Sequence, residues 1–364
     1  MSALRRFEEG DIPAVASLFG RVFLAGRSPS PAADDYYREI FFRSPLRDPE
    51  LTSLVAEASG RVVGFVGVVP RRMSFRGRPL RVAVTTQFMV EPEQRHTLVA
   101  VDLLRRLLAG PQDLCLADAA GREGQRLWEA LGGQASLLYR LHWTRPLRPY
   151  DYVLSVVRRR PGWGALGALA APLAWAGDLA ATGLSSSPFA VAPAQARAEE
   201  VSPHTLVSQV AASDLGCVVQ PVYDEPSLRW LFGLLDGPAR RGTLYCALVP
   251  SRTRTPGGWF AFFLRPDRVA DVVLLYARPT ERSEVLGQLF EAAGRLGAIA
   301  MRGRMEPAFA EELNDAHAFF RCDGPLTLLH SPHSEVLSAF HQGQAFFSRL
   351  DGEWWINFRQ RVSS

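Results

Sequence analysis

The sequence contains no lysine; all 41 of its basic side chains are arginine, set against 37 acidic ones. That bias fits the codon usage of a GC-rich bacterial genome better than it fits any one function. A long basic run is also absent, since the net charge is only +4 and, apart from Arg158-Arg159-Arg160, the arginines are scattered. A chain without a basic run lacks the electrostatic footprint of a nucleic-acid binder. Cysteine is scarce, and Cys115, Cys217, Cys246 and Cys322 form no C-x-x-C pair. This argues against a disulfide framework and reads as free thiols in a reducing compartment. The opening MSALRRFEEGD has no apolar signal-peptide core, so a cytoplasmic protein is expected. Long hydrophobic runs are missing too. The nearest, residues 161–177, is rich in Gly and Ala, carries Pro172, and is short for a bilayer span. It reads as a linker helix packed on protein, with membrane-surface contact the less favoured alternative.

What is present is an ordinary globular composition, 47% hydrophobic and 21% charged. At 364 residues the chain is too long for one typical core, so two domains are expected. The organising stretch runs from Arg81 to Leu108, RVAVTTQFMVEPEQRHTLVAVDLLRRLL. Residues 82–90 are β-branched and aromatic enough for a strand buried on both faces, and Pro92 ends it. From Thr97 the apolar residues Leu98, Val99, Val101, Leu103, Leu104, Leu107 and Leu108 take helical spacing. Strand, polar turn and helix place free backbone N–H groups at a helix start, where an anion is stabilised, and Arg95 adds positive charge.

Around this stretch the patterns predict strands at 3–7, 53–58, 61–69 and 112–117, and helices after Asp11, over 32–42 and over 122–131. Residues 135–144 alternate and are expected to close the sheet. This order, together with the turn Arg95, His96, Thr97, Leu98, Val99 and Ala100, resembles the GNAT acyltransferase superfamily over roughly residues 3–147. The resemblance implies that the turn, of pattern Q/R-x-x-G-x-G/A, holds the pyrophosphate of acetyl-CoA or another acyl-CoA. Arg95 and Ala100 fit that pattern, and Leu98 stands where the family has its first Gly. The family's usual Tyr general acid aligns with Trp128, whose indole N–H donates a hydrogen bond and supplies no proton.

The second half repeats the pattern. Pro92, Arg95, Leu98, Ala100 and Leu103-Leu104 correspond to Pro279, Arg282, Val285, Gly287 and Leu289-Phe290. The expected fold class is therefore α/β (α+β): two GNAT-like domains in tandem, each a mixed, mostly antiparallel sheet flanked by helices. The expected boundaries are 1–147, a helical Pro/Ala/Ser-rich connector at 148–200, and 201–364. The resemblance also reaches tandem-GNAT proteins such as the Fem-type aminoacyl transferases.

For the chemistry, Phe88, Met89 and Val90 are expected to position the thioester by strand-like pairing, as the resemblance implies. Asp118, at a strand end beside the turn, is the best-placed carboxylate for a base. Gln87, polar in mid-strand, orients a substrate or satisfies a neighbouring strand. Cys115 lies on an apolar strand and reads as core. His330, His333, His341 and Cys322 lack paired ligand spacing, so no metal is expected. Two readings stand: an N-acyltransferase that joins an acyl group from acyl-CoA to an amine of a small molecule or of a cell-surface or secondary-metabolite precursor, or a catalytically inactive scaffold or binding protein of the same fold. Leu98 and Trp128 favour the scaffold; Arg95 and the intact strand, turn and helix favour the enzyme.

Overall fold

The computed structural model describes residues 3–158, 174, 176–179, 189, 197–235, 242–251 and 255–356. Within these the chain forms two compact units, and each is assembled from separated stretches. Unit 1 takes residues 3–140, 216–235 and 325–356; unit 2 takes the described parts of 141–215 and 242–324.

Unit 1 begins with β1 (Ala3–Arg6), α1 (Ile12–Phe23) and α2 (Ala33–Phe41), then β2 (Leu54–Ala58), β3 (Arg61–Phe75) and β4 (Arg78–Val90). Next come α3 (Val99–Leu108), β5 (Leu114–Ala120), α4 (Arg122–Ala130) and β6 (Gln134–Ser136). The chain then enters unit 2 with β7 (His142–Pro146), α5 (Pro149–Arg158), β8 (Glu199–Glu200) and α6 (Pro203–Ala211). It returns to unit 1 for β9 (Val219–Pro221) and α7 (Glu225–Leu235). Unit 2 is completed by β10 (Thr243–Val249), β11 (Gly258–Leu264), β12 (Val269–Ala277), α8 (Arg282–Arg295), β13 (Ala300–Arg304), α9 (Ala310–Asp315) and β14 (Phe319–Arg321). Unit 1 ends with β15 (Leu326–His330) and α10 (Ser334–His341).

The first sheet runs β1-β2-β3-β4-β5-β15-β6, and β9 adds to β3. The second runs β8-β10-β11-β12-β13-β7-β14. Both are mixed and mostly antiparallel, with one parallel pair each, β4 with β5 and β12 with β13. The two orders correspond strand for strand, and in both the sixth position is filled from the other half of the sequence. This corrects the linear boundaries 1–147, 148–200 and 201–364. Residues 135–144 do not form one closing strand: β6 ends at Ser136, a 3-10 turn (Leu138–Arg140) follows, and β7 pairs with β13 and β14 in the second sheet. β15, although it follows the last strand of the second sheet in sequence, lies between β5 and β6 in the first. Alternation reports that a strand exists; it carries no information about which of two similar sheets receives it. The segment 161–177 lies almost wholly outside the described residues; Asp178 beyond it accepts the N–H groups of Tyr150 and Asp151 at the start of α5.

β3 runs to Phe75, past the expected end at 69, through Pro70. Pro70 sits where neither β2 nor β9 pairs with β3, so its missing N–H interrupts no ladder. On one face of the first sheet α3 buries Val99, Leu103, Leu104 and Leu107 against Ala56, Val63 and Val66. Each such side chain contributes about 1.5–3 kcal/mol by leaving water. A Cβ at Gly64 would meet Leu103 of α3, and one at Gly67 would meet the Phe41 ring of α2. Three residues apart on one strand, they show that α2 and α3 cover opposite faces. Arg71, Met73 and Phe75 share the face of Gly67, with Val82, Val84, Leu114 and Leu116 packed there. Among the described residues no helix is long and apolar enough to cross a membrane.

Candidate functional site

The parallel ladder between β4 and β5 holds for three pairs only, Val82 with Leu114 through Val84 with Leu116. Beyond it β4 continues to Val90 and β5 to Ala120 with no further pairing between them. The cause lies on the other side of β4. There Phe65 pairs with Met89 and Gly67 with Thr86, so Gln87 and Phe88 together oppose Val66. This β-bulge puts Gln87 in the left-handed region, at φ 50°, and bends the strand away from its neighbour. Thr85 Oγ1 donates to the Leu116 carbonyl at 3.2 Å at the last rung. The result is a gap bordered by residues 85–90 and 117–120, where an extended, amide-bearing ligand can add as a strand.

Gln87 sits at the head of this gap and is 9% exposed. Its Oε1 accepts the Tyr37 hydroxyl at 2.5 Å, and its Nε2 has no partner among the described residues. Burial pushes the Tyr37 hydroxyl well above the ordinary tyrosine range, so it stays a neutral donor that fixes the Gln87 carboxamide. A left-handed non-glycine residue with an unpaired buried donor is costly, and such cost concentrates at sites that bind something.

Below the gap the chain turns through the 3-10 segment Pro92–Gln94 into α3. Phe88 is half-buried and packs on the α3-side core, while Met89 and Val90 are buried. Arg95, His96 and Leu98 are exposed, with Leu98 at 68%. Thr97 Oγ1 donates to the Gln94 carbonyl at 2.7 Å, so the hydroxyl serves its own turn. Val99 and Ala100 open α3; the Val99 N–H donates to Thr97 Oγ1 at 3.4 Å, and the Ala100 N–H precedes the earliest intrahelical acceptor. Leu98 has φ −80°, so the backbone there does not require glycine; leucine in its place costs only the room its side chain occupies. Glu91, buried at the end of β4, is clamped by Arg21 through two bonds of 2.7 Å, and it anchors the start of the turn.

Asp118 lies just past the end of the ladder on β5, on the face shared with Arg71. Its Oδ1 accepts the Glu353 N–H at 2.7 Å, and Gly352 packs against its carboxylate. Residues 346–356 thus form a strap over this face. Arg71 Nη2 donates to the Leu350 carbonyl at 2.9 Å, and its guanidinium lies 5.0 Å from the Trp355 ring centre. The Tyr36 hydroxyl donates to the Ile356 carbonyl. Asp351 accepts the Ser348 N–H and hydroxyl and the Tyr223 hydroxyl. Burial pulls Arg71 down to about 10 and pushes the Asp351 carboxyl upward. The structure therefore brings Gln87, Asp118 and the Phe88–Ala100 stretch around one gap, and it adds Tyr37, Arg71, Tyr223 and the strap. The added residues carried no spacing signal, because each reaches the site across tens or hundreds of positions.

Residues 3–113 match the family model described as an acetyltransferase (GNAT) domain. That match lies wholly within the first unit and covers less than a third of the chain. Over 93% of this chain it resembles a probable N-acyltransferase from Enterococcus faecalis V583, at TM-score 0.60 and 10% identity, covering 74% of that chain. A GCN5-related N-acetyltransferase from Anabaena variabilis is similar over 92% of this chain and 74% of its own, with TM-score 0.59 and 13% identity. Eis1 from Mycobacterium abscessus is similar over 93% and 76%, with TM-score 0.56 and 13% identity. No curated protein matches the sequence significantly.

Within this fold Trp128, at the position aligned with the family's tyrosine, is buried in the α3-side core with Gly133 packed against it. It faces apolar side chains and takes no part in the gap. Cys115 is likewise core, its thiol pushed up to about 12 by burial, and so unreactive. Among the described residues no three His, Cys, Asp or Glu side chains gather as metal ligands. The second unit keeps the same device in reduced form. β12 and β13 pair only from Val269 with Ala300 to Asp271 with Arg302, and a register shift follows on the β11 side. There, however, an Asp271–Arg302 ion pair crosses the ladder end at 2.5 Å. The 3-10 turn Pro279–Glu281 runs straight into α8, with no counterpart of residues 95–98, and Arg282 is already helical.

Proposed function

We propose that the first unit transfers an acyl group from acyl-CoA to the amine of a small molecule. The observation that carries this reading is the gap opened between β4 and β5 by the bulge at Gln87. The pantetheine arm of acyl-CoA is an extended chain with two amides, and it fits as a strand against the free backbone edge of Phe88 to Val90. The first-turn amides of α3 and the guanidinium of Arg95 then face the pyrophosphate, with His96, Thr97, Leu98, Val99 and Ala100 forming the rest of the turn. The amine lone pair attacks the thioester carbonyl carbon; the C–N bond forms, the C–S bond breaks, and the thiolate leaves. One proton passes from nitrogen to solvent or a base, one is taken up by the thiolate, and the products are an amide and free CoA. The Gln87 carboxamide, fixed through Oε1 by the Tyr37 hydroxyl, leaves its Nε2–H groups as donors at the head of the gap.

For Asp118 the geometry favours holding the strap over direct proton abstraction, since its Oδ1 is engaged by Glu353 and its carboxylate abuts Gly352. Such an enzyme works where acyl-CoA is made, in the cytoplasm, which accords with cysteines that form no disulfide among the described residues. The inactive-scaffold reading draws on the buried Trp128 and the self-bonded Thr97, and it requires that no acyl-CoA binds. Calorimetry with acetyl-CoA and longer acyl-CoAs separates the two, and thiol release in the presence of amines then tests transfer. Arg95→Ala is expected to weaken acyl-CoA binding by about 1–3 kcal/mol through loss of a charge-assisted hydrogen bond. Arg282→Ala is expected to leave it unchanged, because Glu281 and Glu284 stand at that helix start and compete for the same groups. The opposite pattern would move the site to the second unit.

A further inference from the structure

Arg71 is 7% exposed, yet its Nε and Nη1 have no hydrogen-bond partner among the described residues. The ring beneath it belongs to Trp355, which is 2% exposed and whose Nε1–H is also without a partner. With Gln87 Nε2, this face of the gap presents three buried side chains whose spare groups are all donors. The carboxylates that share the field of Arg71 do not fill the deficit. Asp351 is bonded to Ser348 and Tyr223, and Asp118 to Glu353. A guanidinium buried without a carboxylate partner is costly, and an oxygen-rich anion relieves that cost.

We propose that the acceptor amine also carries a carboxylate, which Arg71 and the Trp355 indole N–H receive, so that the substrate is of the amino-acid type. This rests on the acyl-transfer reading above and narrows its acceptor. Strand alternation puts Arg71 on the α2 face with Gly67, and Asp118 on the same face through Leu116. The charges of Arg71, Asp118 and Asp351 act on one another there. One spare cation beside two acids suits a zwitterion: the carboxylate meets the guanidinium while the ammonium end stays near Asp118 at the gap. Arg71 is then a specificity residue that touches the substrate away from the reacting atoms.

The test compares α-, β- and γ-amino acids with their matching carboxamides as acceptors of acetyl-CoA, following release of the CoA thiol. The best amino acid is expected to exceed its carboxamide by about tenfold or more in kcat/KM, the scale of one charge-assisted hydrogen bond. In Arg71→Met that ratio falls toward one, chiefly through KM. Equal rates for acid and carboxamide in the parent protein overturn the inference, and this comparison stands even if Arg71→Met fails to fold. A second arm needs no CoA: thermal stabilisation of the full chain by N-acetylamino acids against N-acetylamino-acid amides. Stabilisation by the acids alone supports carboxylate recognition, and equal effects overturn it. If no amine releases thiol, the acyl-transfer reading fails while this arm still decides whether the site binds carboxylates.

Discussion

Residues 1–190 produced alone are expected to remain unfolded, although they contain almost everything the linear pattern assigns to a first domain. The first sheet lacks its sixth strand without β15, which lies between β5 and β6. Leu326, Leu328 and Leu329 are all buried there. Losing three such side chains, at about 2–5 kcal/mol each, rivals the roughly 5–15 kcal/mol that holds a whole domain. Other bonds go with them, including Thr327 to the Tyr139 carbonyl and the Tyr139 hydroxyl to the Ala345 carbonyl at 2.5 Å. Residues 191–364 are in the same position, because β7 lies between β13 and β14. Circular dichroism melts and limited proteolysis of each fragment check this, and co-expression of the two is expected to restore folded protein. A cooperative melt from 1–190 by itself would refute the exchange of β7 and β15.

The second large effect is expected from one methyl group. In Gly352→Ala the new Cβ would lie 2.0 Å from Asp118 Oδ2 and 2.3 Å from its Cγ. Neither partner can easily give way, since Asp118 is buried on β5 and the strap is tied at Leu350, Glu353 and Ile356. Relief means lifting the strap and leaving the Asp118 carboxylate without its N–H. Overpacking costs about 1–3 kcal/mol and a stranded buried acceptor about 1–3 more. A loss of about 2–5 kcal/mol is therefore expected, read as a drop of several degrees in Tm. Asp118→Ala removes the clash, so the double variant should be more stable than the sum of the single losses. A Gly352→Ala protein that melts with the parent would show that the strap is not seated against β5.

Local patterns carried much of the fold into view. The alternation and apolar runs that form β2, β4, β10, β11 and β12 act between neighbours in sequence, as does the helical spacing of α3. The Arg95–Ala100 turn was legible for the same reason: a proline, a polar stretch and a helix start follow one another along the chain. Gln87 stood out as a polar residue in a buried strand, but its bulge did not, because the register shift depends on how β3 pairs opposite it. Trp354, Trp355, Asp351 and Gly352 lie close together near the end of the sequence. Their place over Arg71 depends on contacts nearly 280 positions apart.

By itself, then, the sequence determined many of the strands and helices, and the strand, turn and helix pattern that occurs once in each half. Those follow from propensity, periodicity and capping, which are short-range. Only the tertiary structure decided which sheet receives β7 and β15, how β4 and β5 part to open the gap, and which side chains line it. Those choices are made by long-range pairing and by burial of groups whose partners the chain supplies from its far end.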